Sequence, residues 1–349
     1  MSTTDDVRIN KIRSLVPASV LLDELPISNN QSDLVIKTRE SISNCIKGHD
    51  DRIVLVVGPC SIHDYSSAIE YAKKLANIKD RYKNEIIIIM RVYFEKPRTT
   101  VGWKGFINDP KLDGSFQINK GLKEARKLLL EILSLGIPCG TEYLDVISPQ
   151  YIADLISWGA IGARTTESQT HRELSSGLSC PIGFKNGTNG NIQIAVDAIK
   201  SARSEHHFLG VTKNGTAAIV NTSGNDSTHV ILRGGKDGPN YDQKSIQNTI
   251  ELQKNSEIDS LIMVDCSHGN SQKNYLNQPK VASQLSNMIR SGEKYIFGIM
   301  IESHLKEGNQ VISKNMTYGQ SVTDACVSWD DTEKIIDNIA NAVKARRQD

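Results

Sequence analysis

Six cations, one thiol, one imidazole and several carboxylates sit in this chain just past short apolar runs. VVGPCS ends in Cys60 and Ser61, and IIIMRVYFEKPRTT carries Arg91, Lys96, Arg98, Thr99 and Thr100. GTEYLD carries Glu142 and Asp145, IGARTTES gives Arg164, GFKNG gives Lys185 and VILRGGK gives Arg233. VDCSHGN gives Asp265 and His268, IMIESH gives Glu302 and QSVTDACVSWDD gives Asp324. Singly each has an ordinary role: a strand Cys is usually a small core hydrophobe, and an Arg a salt-bridge partner. Gathered on one face they mean more. Clustered cations need an anionic load, and Arg and Lys beside Gly-rich turns suit phosphate and carboxylate groups. Cys, His, Glu and Asp together offer thiolate, imidazole and carboxylate donors to one divalent ion. With no second thiol to close a structural zinc site, the mixture favours a catalytic metal with an open position.

Strands must carry these residues. Eight runs qualify: RIVLVV from Arg52, EIIIIMRVYF from Glu85, IPCGTEYL from Ile137, AIGART from Ala160, PIGFKN from Pro181, HVILRGG from His229, LIMVDCSHGN from Leu261 and YIFGIMIES from Tyr295. Several are apolar throughout, as strands of a parallel sheet covered on both faces are. Helical patterns lie between them. Ser148-Pro149 reads as an N-cap and first turn leading into QYIADLISW, and Gly136 stops KGLKEARKLLLEILSLG, whose Leu122, Ala125, Leu128, Leu129 and Ile132 share a face. Eight strand–helix units predict a (β/α)8 barrel, whose working residues lie past the C-terminal strand ends. A doubly wound open sheet is the alternative, but neither GxGxxG nor GxxxxGK[ST] occurs. Two pieces exceed a minimal barrel, an N-terminal extension over residues 1–45 and a hairpin over 207–222 turning at Asn214-Gly215 within a barrel spanning 46–349. Both suggest assembly or regulation.

A length of 349 residues fits one or two domains, and 38% hydrophobic with 23% charged residues predicts a buried core. Forty-one Lys and Arg against 40 Asp and Glu leave a net charge of +1, so no global field favours nucleic acid or an anionic membrane. The N-terminus is not a secretory signal, and no apolar stretch reaches the roughly 18 residues that span a bilayer. A cytoplasmic location is expected. Cys45, Cys60, Cys139, Cys180, Cys266 and Cys326 form no CxxC pair and are expected as free thiols or single metal ligands.

GPCSIHD (58–64), MRVYFEKPRTTVGWKG (90–105), IGARTTESQTHRE (161–173), GFKNGT (183–188), HVILRGGK (229–236), DCSHGNS (265–271), EGNQ (307–310) and SVTDAC (321–326) resemble the signature blocks of type I 3-deoxy-D-arabino-heptulosonate 7-phosphate synthases. The likeness runs from about Asp5 to Arg347. It implies a metal-dependent barrel enzyme that joins phosphoenolpyruvate to D-erythrose 4-phosphate and releases phosphate, the first step of the shikimate pathway. The resemblance assigns one divalent ion per subunit (Mn, Fe, Co or Zn) to Cys60, His268, Glu302 and Asp324. It assigns phosphoenolpyruvate to Arg91, Lys96, Arg164, Lys185 and Arg233 with Glu142 nearby, and erythrose 4-phosphate to Lys96, Pro97, Arg98 and Thr99. Near pH 7 the substrates carry about five negative charges together, which six cations roughly balance. In the implied chemistry Lys96 stabilises an alkoxide, while either Glu142 or His268 handles the attacking water.

The same resemblance implies an effector site distinct from the cleft, made by Asp145, Gln150, Leu178, Ser179, Phe208, Gly210 and Val220, with Asp5 and Asp6 reaching it from a neighbouring subunit. A homodimer or homotetramer is expected. Phenylalanine-regulated members tend to carry Ser where Gly210 stands and tyrosine-regulated ones Gly, so tyrosine is the favoured inhibitor. Two rivals remain: a related synthase joining phosphoenolpyruvate to arabinose 5-phosphate, and a catalytically silent aromatic-amino-acid-binding regulator. KPRTT and the extra segments argue against the first. The intact ligand set argues against the second.

Overall fold

The computed structural model describes residues 4–98 and 100–348. Helix α1 (Ala18–Glu24) and helix α2 (Asn29–Ile46) precede the first strand, and α2 starts on a Ser28/Gln31 capping box. Then come β1 (Ile53–Gly58), α3 (Tyr65–Tyr82), β2 (Ile86–Arg91), α4 (Ile118–Ser134), β3 (Cys139–Glu142), α5 (Pro149–Ile152) and β4 (Ile156–Ile161). They are followed by α6 (Gln169–Gly177), β5 (Ile182–Lys185), α7 (Gln193–Ala202), and a hairpin of β6 (His206–Val211) and β7 (Ala217–Thr222). The chain ends with β8 (Thr228–Leu232), α8 (Gln243–Asn255), β9 (Ile262–Asp265), α9 (Gln278–Arg290), β10 (Ile296–Glu302) and α10 (Trp329–Arg346). Eight parallel strands close in the order β1-β10-β9-β8-β5-β4-β3-β2, with β6 and β7 outside. This is the (β/α)8 barrel that the apolar runs imply.

The strands look apolar throughout because their two faces bury against different partners. Val54 and Val56 point inward with Ile87, Ile89, Trp158, Ile231, Met263, Phe297 and Met300. Leu55 and Val57 point outward into the layer under the helices. The inner stack continues to Ile42, Cys45 and Ile46 at the end of α2. There the Leu261 amide donates to the Ile46 carbonyl at 2.9 Å, so α2 closes the barrel floor.

Two local expectations need correction. QYIADLISW is helical only at its start: α5 stops at Ile152, one 3-10 turn follows, and β4 begins at Ile156 rather than Ala160. Ser148 does stand at the N-cap with Pro149 in the first turn, but its side chain makes no capping bond, because its hydroxyl donates to the buried Glu95 carboxylate at 2.9 Å. Gly136, at φ +72, does follow the end of α4.

His229 lies buried inside the barrel, where its Nε2 accepts from the Trp158 indole at 3.0 Å. Nδ1 therefore carries the proton, within 3.1 Å of the Val230 carbonyl. Burial pushes this imidazole down from 6.5 to about 3. Between those limits the unfolded chain binds a proton that the fold refuses, so this contribution is complete above pH 6.5 and is lost as pH falls towards 3. At about 1.4 kcal/mol per pH unit, the wild type should lose about 2 kcal/mol more than His229→Gln between pH 6.5 and 5, read from urea midpoints. Equal slopes would show that the folded imidazole is already charged.

Candidate active site

Barrel geometry puts chemistry at strand ends. Arg91, Glu142, Lys185, Asp265 and Glu302 are the last residues of β2, β3, β5, β9 and β10. Cys60, Arg164 and Arg233 follow β1, β4 and β8 within three residues. These ends open on a cleft of about 340 Å³ lined by Arg91, Lys96, Pro97, Arg98, Glu142, Arg164, Lys185, Arg233, His268, Glu302 and Asp324, a size ordinary for a small-molecule site. Cys60 lies at its base, and Thr99 falls outside the described residues.

The candidate metal donors converge. Cys60, Glu302 and Asp324 each place a ligand atom within 4.8 Å of the others, and His268 Nε2 is 3.8 Å from Glu302 Oε1. His268 Nδ1 meets the Asp265 carboxylate at 3.0 Å and the Ser267 hydroxyl at 2.6 Å, which leaves Nε2 as the free donor. A carboxylate behind the imidazole is the usual support for a metal-binding His. Cys60, Glu302 and Asp324 thus form a three-donor cluster with the His268 imidazole on its Glu302 side, donor chemistry that suits a divalent ion.

Charge pairing differs from the simple balance of six cations against five negative charges. Arg91 Nη2 donates to Glu302 at 2.8 Å, Lys185 Nζ sits 3.0 Å from Asp265, and Lys96 Nζ lies 3.1 Å from Cys60 Sγ. Among the described residues only Arg98, Arg164 and Arg233 of the six lack a carboxylate or thiol partner. Burial holds the Arg233 guanidinium below its ordinary range, and neighbouring Arg164 adds to the effect. Two guanidiniums lining one cleft have the chemistry to receive an anion.

Burial, and then the Glu302 carboxylate, push the Cys60 thiol up to about 12, against the opposing pull of Lys96. For Lys96 itself burial weighs against charge, but Cys60, Glu302 and Asp324 outweigh it and hold the ammonium protonated. Burial alone would raise Asp265, yet Lys185 and His268 keep its carboxyl well below the usual range.

Sequence reasoning passed over the residues that hold this face in shape. Asn186 accepts from the Arg233 amide at 2.9 Å, while Asn270 donates to the carbonyls of Leu232 and Asp265 at 3.1 and 2.8 Å. Both asparagines lie within the strand-end motifs GFKNG and VDCSHGN, which was the available signal. Gly234, at φ +72, lets this loop meet the one carrying Gly269, since a Cβ there would overlap the Gly269 and Asn270 backbone. Lys273 adds a seventh cation to the cleft lining.

The residues implied for an effector lie elsewhere. Phe208 pairs with Val220 across the hairpin, and Gly210 is beside them on the face turned to α6. Thr222 and Ser176 hydroxyls meet there at 2.6 Å. Lys213 in the turn donates to the Gln150 carbonyl at 3.1 Å, which brings α5 to the hairpin tip. Leu178 follows α6 and is half-buried, whereas Asp145 and Ser179 are exposed. Among the described residues the hydrogen bonds of Asp5 and Asp6 are local, to each other and to Ile9.

The pattern of the DAHP synthetase I family matches residues 24–337. The chain belongs to that family. It is 54% identical over 345 residues to the Phe-sensitive phospho-2-dehydro-3-deoxyheptonate aldolase of Escherichia coli (strain K12), with 98% of each chain covered. It is 50% identical over 350 residues to the tyrosine-inhibited enzyme of Schizosaccharomyces pombe, covering 99% of this chain and 94% of the relative. The solved structure of phospho-2-dehydro-3-deoxyheptonate aldolase from Francisella tularensis SCHU S4 matches with a TM-score of 0.96 and 55% identity, over 97% of this chain and 99% of that one. Family membership and the strand-end cleft therefore rest on independent observations. No helix in the described residues is long and apolar enough to cross a membrane.

Proposed function

We propose that this chain condenses phosphoenolpyruvate, D-erythrose 4-phosphate and water into 3-deoxy-D-arabino-heptulosonate 7-phosphate and phosphate. The observation that carries this reading is one cleft, in a chain of this family, lined by the cation set, with the Cys60/Glu302/Asp324 donor cluster at it and His268 3.8 Å from Glu302. A divalent ion held by those four residues would supply Lewis-acid polarisation of the aldehyde oxygen. Arg164 and Arg233 clamp the phosphate of phosphoenolpyruvate, and Arg91 and Lys185 hold its other end. Arg98 receives the phosphate of the tetrose together with Pro97 and Thr99. C3 of phosphoenolpyruvate bonds to the aldehyde carbon, and Lys96 donates its proton to the alkoxide that develops. The enol-derived C2 becomes an oxocarbenium, water adds to it, and the C2–O bond to phosphate breaks with phosphate taking the electron pair.

His268 has Nδ1 held by Asp265 and Nε2 assigned to the divalent ion. Glu142 has no hydrogen bond or ion pair to its carboxylate among the described residues, although it lines the cleft. Glu142 therefore accepts the proton of the adding water. The decisive experiment is phosphate release with both substrates and Mn, Fe, Co or Zn supplied in turn. Release with arabinose 5-phosphate but not erythrose 4-phosphate would replace this reading with the octulosonate synthase one. No release under any condition would support the silent regulator.

Feedback inhibition by an aromatic amino acid, tyrosine, is proposed at the hairpin face. Phe208 and Val220 supply an apolar wall, and Gly210 lets Val220 pack directly against the strand, because a Cβ there would fall 2.6 Å from Val220 Cγ2. Gly210→Ser must therefore displace Val220 and narrow the space in front of that wall, so inhibition should shift from tyrosine towards phenylalanine by about 10-fold or more, a coupling change within the usual range. Inhibition curves that keep the same order of potency would refute the specificity argument. On the opposite hairpin face the cross-strand pair Leu209 and Ile219 is 89% and 76% exposed, and Val7, Ile9 and Ile12 are exposed as well. Such apolar surface supports assembly into a homodimer or homotetramer, with Asp5 and Asp6 reaching a neighbour's hairpin.

A further inference from the structure

Tyr93 is fully buried at the top of the barrel interior, two residues past the end of β2. Its ring lies under the Arg91 guanidinium, with the guanidinium carbon 3.5 Å from the ring centre. Its carbonyl accepts from the Ile62 amide at 2.8 Å, which ties it to the loop carrying Cys60. Its hydroxyl has no hydrogen-bond partner among the described residues. Phenylalanine would fill the same volume and keep the cation–π contact without burying an unmatched hydroxyl, an arrangement that is normally disfavoured. The β2–β3 register sets Arg91 opposite Gly140, and the Val92 amide donates to the Gly140 carbonyl at 2.7 Å, so Tyr93 comes alongside Glu142 on the inward face; the charges of Arg91, Glu142, Asp265 and Glu302 all act on its hydroxyl.

Three of those four are already engaged. Arg91 and Glu302 pair with each other, and Asp265 holds Lys185 and His268. Among the described residues only the Glu142 carboxylate of these four is unpartnered, as the Tyr93 hydroxyl is. Gly162 leaves room for that carboxylate on the far side, since a Cβ there would overlap Oε1.

We propose that Tyr93 is a positioning residue for the water step, donating a hydrogen bond to one Glu142 oxygen when substrate closes the cleft. The other oxygen is then aimed at the water that adds to C2, and it takes that water's proton as the C2–O bond forms. This rests on the reading of Glu142 as the group that accepts the proton. The hydroxyl acts through Glu142, while the ring acts through Arg91, so the two parts of one side chain have separable effects.

Tyr93→Phe keeps the ring and removes the hydroxyl. It should lower kcat about 10- to 100-fold, as loss of a hydrogen bond to a charged group does, and leave KM for phosphoenolpyruvate within about two-fold. Tyr93→Leu removes the stacking as well and should raise that KM. In a Glu142→Gln background Tyr93→Phe should have almost no further effect on kcat, because the two substitutions remove one shared interaction. A Tyr93→Phe enzyme with wild-type kcat, or one whose full deficit persists on top of Glu142→Gln, would overturn the proposal. An unimpaired Glu142→Gln single variant would instead refute the proton-acceptor reading on which it rests. Unchanged thermal unfolding of Tyr93→Phe separates the kinetic effect from a loss of fold.

Discussion

Cys60→Ala should lose at least about 100-fold in turnover while keeping its fold, because even partners one layer behind a metal ligand are worth about 10- to 100-fold. The thiol sits 3.6 Å from Asp324 Oδ2 and 3.1 Å from Lys96 Nζ, within the cluster it forms with Glu302 and Asp324. Alanine removes one sulfur from a buried position without adding bulk, so circular dichroism and thermal unfolding in the absence of metal should match the wild type. Losing the thiol also frees the Lys96 ammonium, and activity alone would not separate the two effects. Metal content does: the wild type should retain about one divalent ion per chain after dialysis against Mn, and the variant far less. A variant that keeps both its metal and its turnover would remove the thiolate from the chemistry.

The second large effect is expected at Lys96. A donor that meets charge only as the alkoxide develops contributes in the transition state and little in the ground state. Lys96→Ala should therefore lower kcat by about 100- to 1000-fold with a far smaller change in KM for phosphoenolpyruvate. The ammonium is suited to this task because Cys60, Glu302 and Asp324 keep it charged despite its burial. Arg98 supplies the contrast. It is exposed, and its Nε donates to the Trp103 carbonyl at 2.9 Å. Arg98→Ala should raise KM for erythrose 4-phosphate and spare kcat. If Lys96→Ala changed only KM values, its role in proton donation would fail.

Strand positions were legible in the sequence because a parallel barrel buries both faces of each strand, and runs such as IVLVV or IIIIM have no other easy home. The start of β4 was not legible. ADLISW carries a helical signal behind Ser148-Pro149, and only the short reach from β3 to β4 forces the chain to turn back after Ile152. Side-chain types at the strand ends pointed to the cleft, but their pairing could not be read from order along the chain. Lys185 meets Asp265 across β5 and β9, and Arg91 meets Glu302 across β2 and β10. Such partners are fixed by ring closure, not by neighbours in sequence. Tyr93 escaped notice for a related reason. In VYFEK it reads as an ordinary apolar strand residue, and only the packed interior reveals that its hydroxyl has been left unmatched.

Ring closure also sets the order in which this protein can be made. β1 pairs with β10 in register, Gly58 opposite Glu302, and the Ser303 amide donates to the Gly58 carbonyl at 2.9 Å. A chain emerging from the ribosome must therefore hold one edge of β1 open until nearly all the rest has been synthesised. Such long-range pairing slows folding, and an open edge invites pairing with other chains. Cys60 and Glu302 ride on these two strands, so they meet only when the last strand seats. Any ion or substrate that binds them together favours the closed ring by mass action. Loading the cleft thus acts on the final step of the molecule's own assembly, and a cell short of that ion would be expected to accumulate open, aggregation-prone chains as well as idle enzyme.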